Sequence, residues 1–218
     1  MNPIGKAITC YDDKFSIPRQ SGLAPHSFGH IELKKKFRRE EALRGLDSFS
    51  HLFLTWSPHQ NNPQDNKLTV RPPRLGGNNK VGVFASRSPF RPNPICHSVV
   101  EFVRIEKFAI HFKNHDILDQ TPILDIKPYI PEWDAFPSAT SGWASENLKK
   151  IEVKFCDSIQ IDENFKTLIK EVLSLGPQPQ YQLSKANNYG FRLNQHEVKA
   201  NYEPNKGFSV YQVLPIKP

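Results

Sequence analysis

The chain has 218 residues, of which 38% are hydrophobic and 23% are charged, enough for one sizeable core or for one core with a small appended unit. No apolar run approaches the roughly 18 residues of a membrane span, and residues 1–10 lack the pattern of a signal peptide. The three cysteines are widely spaced and include no C-x-x-C pair, which argues against a disulfide framework or a structural zinc site. We therefore expect a cytoplasmic protein with no membrane association and no metal. A reactive thiol stays open, although buried unreactive cysteines are commoner.

The basic excess of the chain lies in its first half. The formal net charge is +7. Residues 1–104 contain 16 Lys and Arg against 8 Asp and Glu, whereas residues 105–218 contain 13 against 14. This distribution favours a polyanionic partner for the first half. A general contribution of the charge to solubility is the alternative.

Short apolar runs separated by turn residues predict strands over the first two thirds of the chain. The runs cover residues 4–9, 51–56, 81–86, 98–105, 108–112 and 123–127. Short strands of this kind, rich in Val, Ile and Phe, predict a mainly β fold in which an antiparallel sheet closes into a β-barrel. One short helix is predicted at residues 39–46. A Rossmann domain is disfavoured, because there is no βαβαβ rhythm and no G-x-G-x-x-G after a strand.

The composition changes at residues 130–147, where Pro, Ser, Thr and Gly form a linker-like stretch. Beyond it we predict strands at 151–156, 188–193 and 208–214. A helix with apolar residues at helical spacing is predicted between its cap at Asp162 and its stop at Gly176. The chain is therefore divided into a β-barrel domain at residues 1–145 and a small α+β domain at residues 146–218.

Residues 70–94, the arginine segment, are the most informative part of the sequence. The segment contains Arg71, Arg74, Arg87 and Arg91, and Arg44 lies upstream. Its prolines stand at positions 72, 73, 89, 92 and 94. Proline fixes φ and lowers the entropy of a loop before any ligand arrives. A stiff loop with several guanidinium groups suits the bidentate binding of phosphates or carboxylates.

Other polar motifs lie near the ends of predicted strands. The Pro-Arg-Gln at 18–20 offers a guanidinium, an amide and backbone groups, although a plain surface loop explains it equally well. His59 and Gln60 follow a strand end, where barrel pockets form, but a structural histidine is the alternative. The Asp-Gln-Thr-Pro at 119–122 is ordinary turn chemistry. Asp125 and Lys127 share a face of the next strand. Either they form a charge pair in a site, or they belong to a solvated strand face.

Taken together, these motifs resemble the TsaA-like proteins, and within them the TrmO group of tRNA methyltransferases. The resemblance covers about the first 145 residues, and it extends more loosely to the C-terminal part through the helix and GPQPQY at 176–181. It rests on PRQ (18–20), RGLDSFSHLFL (44–54), HQ (59–60), VRPPRLGG (70–77), VGVFASRSPFRPNPI (81–95), DQTP (119–122) and LDIKPYIP (124–131).

The resemblance implies a homodimeric β-barrel protein that binds S-adenosylmethionine (SAM) without a Rossmann sheet. It also implies methylation of the N6 nitrogen of N6-threonylcarbamoyladenosine at position 37 of threonine tRNA. Carried over by position, the cofactor-binding residues are Pro18, Arg19, Gln20, His59, Gln60, Arg87, His97, Asp119, Gln120, Thr121 and Pro122. Cys96 and His97 depart from the pattern, because the family usually has Gly and then Leu or Met there.

Four residues are candidates for catalysis of this reaction: Arg87, Asp119, Asp125 and Lys127. Arg87, Arg91 and Lys127 would stabilise negative charge that develops on the acceptor. Asp119 or Asp125 would take the proton or hold the cofactor, and we prefer the binding role for Asp119.

The RNA partner is expected to be the single-stranded anticodon loop, in which a base can be splayed out. Basic residues of the first half would contact its phosphates with an affinity that falls with salt. These residues are Lys34, Lys35, Lys36, Arg38, Arg39, Arg71, Arg74 and Arg91. Two alternatives stay open: a SAM-binding barrel with a different acceptor, and a non-catalytic RNA-binding module.

Overall fold

The computed structural model describes residues 1–61, 68–145, 149–179 and 182–216, with the backbone but not the side chain of Arg74. Within these ranges the strands are β1 (Gly5–Thr9), β2 (Phe28–Leu33), β3 (His51–Trp56), β4 (Thr69–Val70), β5 (Val81–Gly82), β6 (Cys96–Glu106), β7 (Ala109–Lys113), β8 (Thr121–Pro128), β9 (Val153–Phe155), β10 (Asn187–Leu193), β11 (His196–Glu203) and β12 (Gly207–Pro215). The α-helices are α1 (Glu40–Leu43), α2 (Pro131–Asp134) and α3 (Glu163–Ser174). None of the helices in these ranges has the length and apolar character to cross a membrane.

Six strands close into a barrel in the order β1-β2-β7-β6-β3-β8, and all neighbours are antiparallel. The barrel closes where β8 returns to β1, with Gly5 opposite Ile123. Its inward side chains form one core that includes Ala7, Ile31, Leu33, Leu52, Leu54, Val100, Ile110, Phe112, Ile117 and Ile123. The predicted mainly β fold with a closed antiparallel barrel is confirmed.

The sequence pattern did not predict β2, because an inward position of this strand is occupied by Gly29. A Cβ at Gly29 would lie 2.9 Å from the Ile8 carbonyl oxygen and 2.9 Å from the Phe112 ring. Only glycine fits this position, so the strand lacks a continuous apolar alternation and reads as a turn.

The C-terminal part is a sheet of order β10-β11-β12-β9 with α3 packed on it. β9 runs parallel to β12, and the other pairs are antiparallel. Asp162 caps α3 as predicted, because its carboxylate accepts the backbone N–H groups of Asn164 and Phe165. β11 was not predicted, since its buried residues include the small Ala200 between polar neighbours.

Residues that follow β1 pack into the core of the C-terminal sheet. Cys10 and Tyr11 are fully buried within that core. The carbonyl of Cys10 accepts the N–H of Asn194 at 2.7 Å, and the Asp12 carboxylate accepts the N–H of Gln195 at 2.7 Å. The barrel and the C-terminal sheet are therefore joined by packing as well as by the chain. The division predicted between residues 145 and 146 falls at segment 146–148, outside the described residues, and stays a prediction.

Several predicted elements are shorter than expected, including the strand predicted at 151–156, which is β9 alone. The helix predicted at 39–46 covers only α1, and Gly45, at φ 84°, separates it from a 3₁₀ turn at Leu46–Ser48. The strand predicted at 81–86 is β5 followed by a 3₁₀ turn at Val83–Ala85. In addition, the linker-like stretch contacts the arginine segment at one point, because the Trp143 indole N–H donates to the Ala85 carbonyl at 2.8 Å.

Candidate active site

Several strand ends of the barrel converge beneath the arginine segment. β3 ends at Trp56, which lies opposite Cys96, the first residue of β6, and opposite Ile123 of β8. The loop from β5 to β6 therefore crosses the same end of the barrel as the loop that follows β3. Between these loops lies a cleft of about 920 Å³, a volume typical of small-molecule sites.

The cleft brings together most of the residues predicted to bind the cofactor. They come from the loop after β1, the loop after β3, the arginine segment and the starts of β6 and β8. The predicted residues that line it are Pro18, Arg19, Gln20, His59, Gln60, Arg87, His97 and Thr121. Arg91, predicted to contact RNA, also lines the cleft.

The other predicted residues of the DQTP turn lie outside the described lining. The Asp119 carboxylate accepts the N–H of Thr9 at 2.9 Å and the Gln120 side-chain amide at 3.0 Å. Lys6 donates to the Gln120 side-chain carbonyl at 3.0 Å, and Pro122 accepts the N–H of Ser57 at 3.1 Å. These bonds fix the turn against the end of β1 and so place Thr121 at the cleft.

Asp125 and Lys127 also lie outside the described lining, on the exposed outer face of β8. Thr121 and Ile123, earlier in the same strand, are buried. The change of face follows from a β-bulge, because the register with β3 shifts between Thr55 and Trp56. Asp125 accepts the N–H of its neighbour Ile126, and this environment matches a solvated strand face.

Hydrogen bonds hold the arginine segment in its folded form. Arg91 donates to the carbonyls of Val83 at 3.2 Å and Ser86 at 2.8 Å. Arg87 donates to the side-chain carbonyl of Gln20, which connects the segment to the loop after β1. Arg19 of that loop donates to the carbonyls of Gly176 and Gln178 beyond α3. The Arg91 guanidinium therefore stabilises the segment, while the Arg87 side chain is exposed at the cleft.

His59 enters the cleft as a neutral ring. Partial burial and the charge of Lys14 lower its pKa. Its Nδ1 lies 3.4 Å from the Thr121 hydroxyl, and that hydroxyl donates to the Leu118 carbonyl at 2.7 Å. Because the hydroxyl proton is committed to Leu118, a hydrogen bond between these groups requires the proton on Nδ1, and Nε2 would then be an acceptor.

Asp116 is a cleft residue that the sequence motifs missed. It is half-buried and is the one carboxylate among the described residues that line the cleft. Ser98 donates to it from its hydroxyl, and the Trp56 indole N–H donates to Ser98 at 2.9 Å. Desolvation raises the pKa of Asp116 to about 6, and hydrogen bonds from Ser98 and from backbone N–H groups, with the nearby Arg87 charge, oppose that rise. Asp116 belongs to no motif, so only its place in the fold identifies it.

Cys96 and His97 form the edge of the cleft on β6. Desolvation, followed by the charge of Asp116, raises the pKa of the Cys96 thiol to about 11, so the sulfur is protonated at neutral pH. A protonated thiol is a weak nucleophile. His97 is exposed, and its Nδ1 lies 3.1 Å from the Thr55 hydroxyl.

The predicted RNA-binding residues fall into two groups. Arg71 and Arg91 lie at the cleft end of the barrel, and the Arg74 side chain lies outside the described residues. The other group follows β2 at the opposite end, where Lys34 donates its N–H to Ile4, just before β1. This exposed group consists of Lys34, Lys35, Lys36, Arg38 and Arg39.

The side chains of the cleft suit a ligand that has both charges and a flat ring. Arg87 can bind a carboxylate, and Asp116 can face a cationic centre. Gln20 and Gln60 offer amides, and Trp56 and Phe84 offer apolar surface. No cluster of potential metal ligands occurs in the described parts of the chain.

This arrangement defines a closed β-barrel protein with a small-molecule cleft at its rim. The tRNA-methyltransferase O N-terminal domain family matches residues 6–135, and the TrmO C-terminal domain family matches residues 148–216. The chain therefore belongs to the TrmO family, and the resemblance inferred from its motifs is confirmed.

Individual relatives agree with this assignment. The chain is 33% identical to an Escherichia coli protein named tRNA (adenine(37)-N6)-methyltransferase, over 97% of this chain and 96% of that protein. It is 39% identical to a Pseudomonas aeruginosa protein, RcsF, described as an S-adenosylmethionine-dependent methyltransferase, over 93% and 92% of the two chains. A crystal structure of TrmO from Pseudomonas aeruginosa superimposes with a TM-score of 0.80 at 34% identity, covering 97% of this chain and 96% of that one.

Proposed function

We propose that this protein methylates the N6 nitrogen of adenosine 37 in tRNA, with SAM as the methyl donor. The observation that supports this most directly is the cleft, where the residues predicted for SAM from five separate segments line one volume. The family of the chain and the names of its relatives agree with this reaction.

The donor set of the cleft fits SAM, which contains a carboxylate, an ammonium, a sulfonium and an adenine ring. We assign the carboxylate to Arg87, held in place by Gln20, and the positive charge to Asp116. Gln60 and the neutral His59 would offer acceptors to donor groups of the ligand. When bound, SAM supplies an electrophilic methyl group, so the cleft residues have to orient it rather than activate it.

We assign the predicted catalytic residues different tasks. Arg87 is the predicted catalytic residue that lines the cleft, and because its guanidinium is assigned to the SAM carboxylate, its proposed task is to hold and orient the donor. Asp119 acts as a positioning residue, because it bonds the end of β1 and so holds the turn of Thr121. Asp125 and Lys127, on the outer face of β8, are proposed to act outside the donor pocket.

The nucleoside that accepts the methyl group is proposed to be N6-threonylcarbamoyladenosine of threonine tRNA. Its threonyl carboxylate adds a negative charge close to the reacting nitrogen, and Arg91 offers a further guanidinium in the same cleft. Bidentate recognition by arginine suits this group. The protein is further proposed to act in the cytoplasm as a homodimer.

The two basic groups are proposed to contact different parts of the tRNA. Because they lie at opposite ends of the barrel, the arginine segment would meet the loop that contains the reacting base. The group Lys34–Arg39 would contact phosphates farther along the RNA.

The test is incubation of the protein with methyl-labelled SAM and threonine tRNA from cells that lack the enzyme. Label in N6-methylated threonylcarbamoyladenosine, identified by nucleoside mass spectrometry, is the expected result. Label in N6-methyladenosine at position 37, without the threonylcarbamoyl group, would support N6 methylation but reject N6-threonylcarbamoyladenosine as the substrate. No SAM binding by calorimetry would reject the donor, and SAM binding without tRNA methylation would favour another acceptor.

A further inference from the structure

A second, larger cavity adjoins the cleft. It is a groove of about 1990 Å³ between the arginine segment and the stretch from Phe136 to Ala144. Arg87, Phe90 and Arg91 line both the cleft and the groove. A chain lying in the groove would therefore reach the donor cleft directly.

The charge of the groove has a single sign. Arg19, Arg71, Lys80, Arg87 and Arg91 line it, and the described lining contains no Asp or Glu. Such a surface attracts a polyanion and repels an identical surface on a second copy of the chain.

Large aromatic side chains stand exposed along the groove. Phe84 is 78% exposed, Phe136 is 72% exposed and Phe90 is 44% exposed. Exposed aromatic groups beside basic ones are the features with which proteins bind single-stranded nucleic acid, because each base can stack on a ring. The Trp143 indole N–H donates to the Ala85 carbonyl, and this bond connects the two walls of the groove.

We propose that this groove binds the unpaired nucleotides that flank the reacting adenosine, with bases stacked on Phe84 and Phe136 and phosphates beside Arg71 and Lys80. The inference rests on the proposed tRNA methylation and adds to it the surface that holds the substrate. The stacked neighbours would keep the loop open while the target base enters the cleft.

The experiment measures binding of an anticodon stem-loop RNA to the full-length protein by fluorescence anisotropy over a salt series. The variants are Phe84→Ala, Phe136→Ala and Phe136→Trp. Phe28→Ala is the matched control, because Phe28 is also exposed, at 50%, but lines neither the cleft nor the groove. Calorimetry with SAM and sedimentation of every variant complete the set.

Each alanine variant is expected to weaken RNA binding by about 5- to 100-fold, the range measured for loss of one base–aromatic stack. The salt slope should stay unchanged, because no phosphate contact is lost. Phe136→Trp should restore RNA affinity, and Phe28→Ala should match the parent protein in both RNA and SAM affinity. Phe136→Ala should retain the parent SAM affinity, because Phe136 does not line the cleft.

Parent-like RNA affinity of Phe84→Ala and Phe136→Ala would overturn the inference while leaving the methyltransferase assignment intact. A change in sedimentation confined to these variants would overturn it in favour of a second copy in the groove. If the unmodified protein binds SAM but no RNA, the proposed function itself fails, and this result is distinct from both others.

Discussion

The hydroxyl of Ser98 donates a hydrogen bond to the carboxylate of Asp116 at the cleft. Ser98 in turn accepts the indole N–H of Trp56 at 2.9 Å. This chain joins β3, β6 and the loop before β8, so the position of the carboxylate depends on three separate parts of the barrel. Desolvation raises its pKa to about 6, which leaves it ionised but incompletely stabilised at neutral pH.

Asp116→Asn is expected to weaken SAM binding by at least tenfold at pH 7.5, because the cleft loses its negative charge. For the parent protein, the SAM dissociation constant should rise about tenfold per pH unit below pH 6, as Asp116 becomes protonated. Calorimetry between pH 5 and pH 8 measures both effects. A pH dependence below pH 6 that persists unchanged in Asp116→Asn would contradict the assignment.

The same substitution should not lower stability. The raised pKa means that folded Asp116 binds its proton more tightly than the unfolded chain does. The free energy of unfolding therefore decreases as pH rises from about 4 to about 6, by on the order of 1–3 kcal/mol. In Asp116→Asn this decrease should disappear, as chemical denaturation at several pH values would reveal.

Arg87→Lys is expected to reduce SAM affinity about tenfold, because an ammonium cannot bind a carboxylate and Gln20 with a planar fork. Its melting temperature should match that of the parent protein, since Arg87 is exposed. Arg104→Lys is the control, because Arg104 is an exposed arginine of β6 that pairs with Glu106 and does not line the cleft. If Arg87→Lys and Arg104→Lys bind SAM with equal affinity, the assignment of Arg87 to SAM binding is wrong.

RNA molecules of different length should distinguish the contributions of the two basic groups to binding. Arg71→Ala is expected to weaken binding of an isolated anticodon stem-loop and to reduce its salt slope by about 1. Lys35→Ala should leave stem-loop binding unchanged and weaken only full-length tRNA, because Lys35 lies at the far end of the barrel. Equal losses for both RNAs with Lys35→Ala would place that end of the barrel against the anticodon loop instead.

Alkylation should distinguish the two partly accessible cysteines. With a pKa of about 11, Cys96 has about one thiolate in a thousand at pH 8, whereas Cys156 is exposed on the C-terminal part. Iodoacetamide should therefore modify Cys156 first, as peptide mass spectrometry would show. Cys96→Ser should retain methyl transfer to within about twofold, and a complete loss would indicate a nucleophilic thiol.

The amino-acid sequence by itself determined the type of fold and the local elements with strong patterns. Short apolar runs placed strands such as β3, and Asp162 with Gly176 bounded the predicted helix around α3, because caps and apolar patterns are properties of neighbouring residues. The motifs also named most of the residues that line the cleft.

Tertiary structure alone decided which of these residues meet and which do not. Gly29 lies in a strand at a position where the Phe112 ring leaves no room for a larger residue. A bulge in the pairing of β8 with β3 places Asp125 on the outer face. Asp116 became a cleft carboxylate through contacts with residues far away in the chain. Burial, register and the charge around a side chain depend on such distant neighbours, and no local pattern contains them.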